Sequence, residues 1–423
     1  MKLYNVMLTT LLATPALIAH DIEISDETNK QVQSVREAIG NIGETEDKNV
    51  SAANALANMF KNGKVSGQIR ATYAGYDYKN DTDTYATALG GQLKYELADY
   101  NGFNAAAAFY TSNDIGFATG EGTKHNNELS SSAGHYTDVT EAYINYKKDG
   151  LNFRAGRQMI DTPLADSDDI RMIPNTFDAY IATYTTDNLT LLAGNLQKWQ
   201  GYDATLDNGW QKTGEYGTWM ASAAYSTDKI DASLWYYSIT RRLSAYYGET
   251  SFSYPYNDDI KFTGALQVLI EREQSHSNEE ADIYGASAEF NFYGIGVNFA
   301  YNKAIVGSGK QTFSGFGGGT LFTSMDTMIL DNIAVDRDAQ SFVTGISYTY
   351  NNLNLLYAYG DFEGNKNSSD QKAHIIEHNL GCEYDFNDNF RLSAVYAIED
   401  NVIDTSDTST NFDRLQIMAI YNF

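Results

Sequence analysis

From Val65 to Phe423, apolar and polar positions alternate with a period of two, in runs of about ten residues broken by Asp, Asn and Gly. The last run shows the pattern most plainly. Leu415, Ile417, Ala419, Tyr421 and Phe423 share one face of an extended strand, while Arg414, Gln416 and Asn422 fall mainly on the other. Tight breaks at 99–102, 148–150, 186–188, 227–229, 255–258, 293–294, 351–352 and 387–388 each lie between two such runs, as in hairpins. Longer connections fall at 78–85, 114–137, 161–175, 198–217, 240–246, 272–280, 305–339, 363–372 and 401–410. Short and long alternate throughout. Eight tight turns and nine loops predict eighteen strands, an even number that lets the first strand close antiparallel against the last. The strand over 247–255 rests mainly on that parity.

The fold this predicts is all-β: a transmembrane antiparallel up-and-down β-barrel of about 18 strands, with tight turns at one rim and loops at the other. Strand parity separates the two faces. Leu89, Leu93, Tyr95 and Leu97 oppose Gln92, Lys94 and Glu96; Leu151 and Phe153 oppose Arg154; Leu392, Ala394, Tyr396 and Ile398 oppose Arg391 and Ser393. Arg70 and Arg414 fall on polar faces in the same way. The greasy face meets lipid, with Tyr421 and Phe423 at headgroup level, and the polar face lines an interior too wide for side chains to fill. Such an interior is expected to be wet.

The chain before the barrel reads differently. Residues 1–19, MKLYNVMLTTLLATPALIA, have a basic start, an apolar run shorter than a membrane span and a small residue at Ala19, the features of a secretory signal peptide. Residues 20–60 are expected to form a partly helical periplasmic extension, and 61–423 the barrel domain. Thirteen per cent aromatics, 32 Tyr, 34 Gly and only 4 Pro suit a sheet protein. The lone cysteine, Cys382, allows no internal disulfide. A net charge of −26 argues against a nucleic-acid partner. No cofactor or metal is expected: GSGKQT at 307–312 lacks the Ser or Thr that a phosphate loop needs after Lys310, and His374 and His378, four apart on one strand, read as rim residues. Acidic pairs such as Asp336/Asp338 and Asp404/Asp407 fit divalent cations bridging lipopolysaccharide and fit plain loop solvation equally well.

The most specific segment is GRQMIDTPLADSDDIRMIP, 156–174. Pro163 and Pro174 bracket an acidic tip of Asp166, Asp168 and Asp169 with Arg171, so the backbone is restricted at both ends and the loop is suited to folding inward. Its start, G-R-Q-x-x-D-T-P, and its ending, D-D-x-R-x-x-P, resemble the third loop of OprD-type outer membrane porins. KNGKVSGQIRATY, 61–73, resembles the first strand of the epsilonproteobacterial major outer membrane porins. The terminal Phe423 with alternating apolar residues before it is similar to the assembly signal of outer-membrane barrels, which implies the barrel-assembly machinery as a partner.

The resemblance implies a water-filled outer-membrane channel for passive diffusion of ions and small hydrophilic solutes. Loop 158–176 would set its constriction, together with a seventh loop at 305–339. Arg154, Arg157 and Arg171 match the basic positions around the third loop, although Arg157 has the wrong parity for the lumen. Asp161, Asp166, Asp168 and Asp169 are the candidate selectivity carboxylates, since opposed charges across a narrow aqueous passage set a transverse field. Excess acidity favours cations, while lumen arginines favour anionic or zwitterionic solutes. Two rival classes stand beside it: a plugged surface barrel, occluded by 21–60 or 305–339, and an outer-membrane barrel hydrolase, for which no Ser/His/carboxylate set stands on adjacent strands. The parity pattern permits a homotrimer.

Overall fold

The computed structural model describes residues 52–257 and 259–423; the signal-peptide reading and most of the N-terminal extension lie outside them. One short helix, α1 (Ala52–Lys61), precedes the sheet. The strands are β1 (Lys64–Tyr78), β2 (Thr84–Glu96), β3 (Phe103–Asp114), β4 (His135–Lys148), β5 (Leu151–Gln158), β6 (Thr176–Thr185), β7 (Leu189–Gln200), β8 (Gln211–Lys212) and β9 (Thr218–Ser226). They continue as β10 (Ile230–Ile239), β11 (Leu243–Asn257), β12 (Ile260–Glu273), β13 (Ala281–Phe292), β14 (Ile295–Val306), β15 (Ala339–Tyr350), β16 (Leu353–Gly364), β17 (Ala373–Asp385), β18 (Phe390–Asn401) and β19 (Asn411–Asn422).

Each strand pairs antiparallel with its neighbour, and β19 closes on β1 from Gln68↔Asn422 to Tyr78↔Phe412. β8 is a two-residue ribbon beside the end of β7, which pairs directly with β9. The barrel therefore has eighteen strands. The apolar face of β19 is outside, with Tyr421 and Phe423 exposed there, and no edge is left open.

The segment 247–255 belongs to β11, which is paired along its length with β10 and β12. The predicted loop at 240–246 is shorter, because Leu243, Ala245 and Tyr247 alternate inward as buried residues and extend the strand, leaving a turn of 240–242. α1 sits at the tight-turn rim, where Ala98 N donates to the Met59 carbonyl (3.1 Å) and Phe60 stacks on Tyr95.

The interior departs from a uniformly wet lumen. The loop-side half of β6–β17 presents apolar residues inward, many of them small: Ala179, Ala245, Ala281, Ala300, Ala304 and Ala358. Against this wall packs the seventh long loop (307–338), with Phe313, Phe316, Leu321, Phe322, Met328 and Leu330 all buried. Alanines on the wall make room for a loop that buries its own aromatics, each worth about 1.5–3 kcal/mol. On the remaining arc Ala74, Ala86, Ala88 and Ala108 receive Leu129, Met172 and Ile173 in a second, smaller apolar cluster, and polar lumen faces persist toward the tight-turn rim, where Lys94 meets Glu141 at 2.8 Å and Arg391 meets Asp385 at 2.6 Å.

Candidate functional site

The third loop (159–175) enters the barrel and is fixed from two sides. Toward the seventh loop it forms a short backbone ladder: Phe316 N donates to the Leu164 carbonyl (3.0 Å) and Asp166 N to the Phe316 carbonyl (3.2 Å). Thr320 Oγ1 also donates to the Pro163 carbonyl. Gly317, at φ +85°, lies so close that a Cβ there would meet Asn175 Nδ2 at 2.1 Å and the Asp166 carbonyl at 2.8 Å. The glycine-rich stretch is thus the contact surface between the two loops.

On the opposite side the loop tip meets the seam of the barrel. Arg70 on β1 holds Asp169 in a two-pronged pair, 2.7 Å on each oxygen, and donates to the Arg171 carbonyl at 2.5 Å. Its remaining N–H groups go to Gln68 Oε1, so all five donors are used. Gln416 on β19 donates to the Ile170 carbonyl (3.0 Å). Arg414, 1% exposed, pairs with Glu128 of the second long loop (115–134) and with Asp326 of the seventh (2.6 Å). Arg171 shares the same Glu128 (3.0 Å), reaches Asp168 (3.1 Å) and lies over the Tyr202 ring at 4.1 Å. One continuous network of Arg70, Arg171, Arg414, Glu128, Asp168, Asp169 and Asp326 therefore ties three loops to the β1–β19 seam.

Buried charges survive only when paired and hydrogen-bonded. Burial alone would raise the Glu128 pKa, yet the Arg414 and Arg171 guanidiniums reverse this and hold it at about 2. For Asp166 burial wins, helped by the Asp161 charge, and its pKa rises to about 7. Burial also raises Asp168, against the opposing pull of Arg171.

The structure thus brings together Arg70, Asp168, Asp169, Arg171 and Arg414. Asp161 and Asp166 serve the loop's own shape: Asp161 accepts from Ser167 N (3.2 Å) and Asp166 from Asp168 N (2.7 Å). Arg154 stands apart on the lumen wall, over Tyr143 at 4.4 Å and within 3.4 Å of Asn145 Oδ1. Arg157 stands opposite Ala142 and Asp178 in register, donates to the Val139 carbonyl (2.9 Å) and covers the Trp210 ring at 4.7 Å. Lys94 and Glu96 lie nearer the tight-turn rim, Glu96 accepting from Asn104 (3.0 Å). Glu128 and Asp326 were not singled out in the sequence. Neither lies in a motif, and both are far in sequence from Arg414, so only the acidity of their loops marks them.

Comparison with known proteins fits this architecture. A family model described as outer membrane porin, OprD family, matches residues 118–367, more than half of the chain. No match was found among curated protein sequences. Among solved structures the chain is similar to OccAB4 of Acinetobacter baumannii, with a TM-score of 0.73 and 14% identity over 86% of this chain and 99% of that one. It is similar to OccAB3 of the same organism, with 0.74 and 13% over 86% and 99%. It is also similar to OpdK of Pseudomonas aeruginosa, solved with vanillate, with 0.73 and 15% over 86% and 99%. At such identities the structures speak to the fold, and the family model carries the assignment. The chain belongs to the OprD family of outer membrane porins, channels of the outer membrane for small solutes.

Proposed function

We propose that solutes pass along the β1–β5 and β18–β19 arc and that this passage prefers cations. The observation that carries the reading is the saturation of the seam arginines by the protein's own carboxylates, amide oxygens and backbone carbonyl. Arg70 has no N–H left for a solute carboxylate, and the bonds of Arg414 go to Glu128, Asp326 and Gln416. These arginines act as rivets for the third loop. Four carboxylates oppose three guanidiniums in the network, and Asp169, at 30% exposure, is its most accessible charge.

The route along this arc is supported by the opposite wall, which is closed by the apolar packing of the seventh loop. Buried polar atoms on the arc, among them Thr72 Oγ1, Gln92 Oε1 and Thr140 Oγ1, have no protein partner and suit contact with water. Arg154 and Lys94 lie further along the same arc. The family is one of channels, and no hydrolytic step is part of this reading. Exposed at the tight-turn end of β19, Tyr421 and Phe423 suit recognition by the barrel-assembly machinery.

The test is the reversal potential of Asp169→Asn beside wild type in a planar bilayer under a salt gradient. Removing Asp169 leaves Arg70 charged and unopposed, so the variant should shift toward anions. An unchanged reversal potential would place the selectivity elsewhere.

A further inference from the structure

Outside the barrel, near the loop end of β16 and β17, three side chains with metal-ligating atoms meet. The outward positions of β16 are Leu355, Tyr357, Tyr359, Asp361 and Glu363, and β17 turns His374, Ile376 and His378 the same way. Tyr357 and Tyr359 pack on His378, with centroids at 6.1 and 5.2 Å, and form the aromatic border of the lipid band. One step nearer the loops, Glu363 stands directly opposite His374, and Asp361 lies diagonal to it.

The ligating atoms of Asp361, Glu363 and His374 all lie within 4.8 Å of one another, and His374 Nε2 is 3.0 Å from Asp361 Oδ1. Each carboxylate is also oriented from outside the triad. Tyr359 OH donates to Asp361 Oδ2 (3.4 Å), and Gln340 Nε2 donates to Glu363 Oε2 (3.1 Å). Gln340 Oε1 in turn accepts from Tyr301 OH (3.2 Å). Metal ligands are characteristically positioned by such outer hydrogen bonds, which here reach across four neighbouring strands. A cavity of about 390 Å³ opens over Glu363 and His374 and gives a hydrated ion access to them.

We propose that Asp361, Glu363 and His374 bind a first-row divalent cation, with zinc the best match to the donors. One imidazole nitrogen and two carboxylates supply three ligands and leave an open position, a set that zinc accepts. Calcium and magnesium prefer oxygen-only surroundings, so the histidine discriminates against them. The bound cation would neutralise two carboxylates at headgroup level and tie β16 to β17 across the face that meets the outer leaflet. The competing description is a plain surface ion pair between His374 and Asp361.

Zinc chloride titrated by calorimetry into the metal-stripped, full-length protein, folded in detergent, separates the two. Wild type should bind one zinc at this site, and His374→Gln and Glu363→Gln should each weaken it by about tenfold or more. A hundredfold excess of magnesium should not displace it. The other histidines are unchanged in both variants, so the difference reports this site alone. Single-channel conductance should match wild type in both, since the triad faces away from the lumen. Should His374→Gln fail to fold, Glu363→Gln, whose side chain is exposed, carries the comparison. Zinc affinity unchanged in the variants, displacement by a hundredfold excess of magnesium, or no zinc binding by wild type would each overturn the proposal.

Discussion

Glu128 is the single anion shared by two buried arginines, which makes Glu128→Gln the sharpest probe of the network. The variant keeps the shape of the side chain but leaves Arg414 and Arg171 facing each other without the carboxylate that separates their charges. Holding this carboxyl at about 2 against an ordinary 4.5 corresponds to about 3 kcal/mol of interaction in the docked state. That agrees with the roughly 3–5 kcal/mol lost when one partner of a buried pair is removed. The cost falls on docking of the second, third and seventh loops, because the strand ladder does not involve Glu128. Three kcal/mol is about a hundredfold in the ratio of docked to released loops.

Single-channel recording at neutral pH should therefore show excursions to larger conductance about a hundred times more often in Glu128→Gln. Acid should do the same to wild type. The folded pKa lies below the unfolded one, so this stabilisation is complete above pH 4.5 and is lost as pH falls toward 2. The variant, lacking the group, should not show this part of the acid response. Records from Glu128→Gln that match wild type in conductance and open-state noise would refute the assignment of the network as the element that holds the constriction.

Other outcomes follow from the same contacts. Gly317→Ala should push the seventh loop off the third, at a cost of more than about 1 kcal/mol for the positive φ and the clash with Asn175 and the Asp166 carbonyl. Limited proteolysis within 307–338 should be faster than in wild type, and an equal rate would contradict the close approach. Asp166 has the opposite sign to Glu128: its folded pKa of about 7 lies above the ordinary 3.8, so its favourable contribution is full below that value and is gone once pH rises through 7. Asp166→Asn should make the same loops more resistant to protease at pH 8 and leave them unchanged at pH 3. Greater susceptibility of the variant at pH 8 would show that the ionised carboxylate supports the loop.

The barrel was legible because membrane β-structure exposes its period to both solvents. The lipid faces of β2, β18 and β19 could be read from alternation alone, and closure explained why the last strand is apolar to its end. Pro163 and Pro174 likewise marked a restrained loop. The packing of the seventh loop was hidden by its glycines, although Phe313, Phe316, Leu321, Phe322 and Met325 are too apolar for a solvated loop and were a usable signal. The alanines that receive them look like ordinary strand residues until the barrel is closed. Glu128 and Asp326 could not be found, since their partner Arg414 sits on a different element and nothing local records the meeting. The parity that placed Arg154 on the lumen wall gave no account of its neighbours, because an aromatic face rather than a carboxylate receives its charge.

A constriction riveted to the β1–β19 seam by carboxylate-bound arginines implies a water-filled channel that favours cations. Its most direct test is the current through single molecules of the purified, folded wild-type protein in a planar bilayer under a salt gradient. Discrete, steady conductance steps with a reversal potential of the cation-selective sign are predicted. No steps, or a reversal potential of the anion-selective sign, would contradict it.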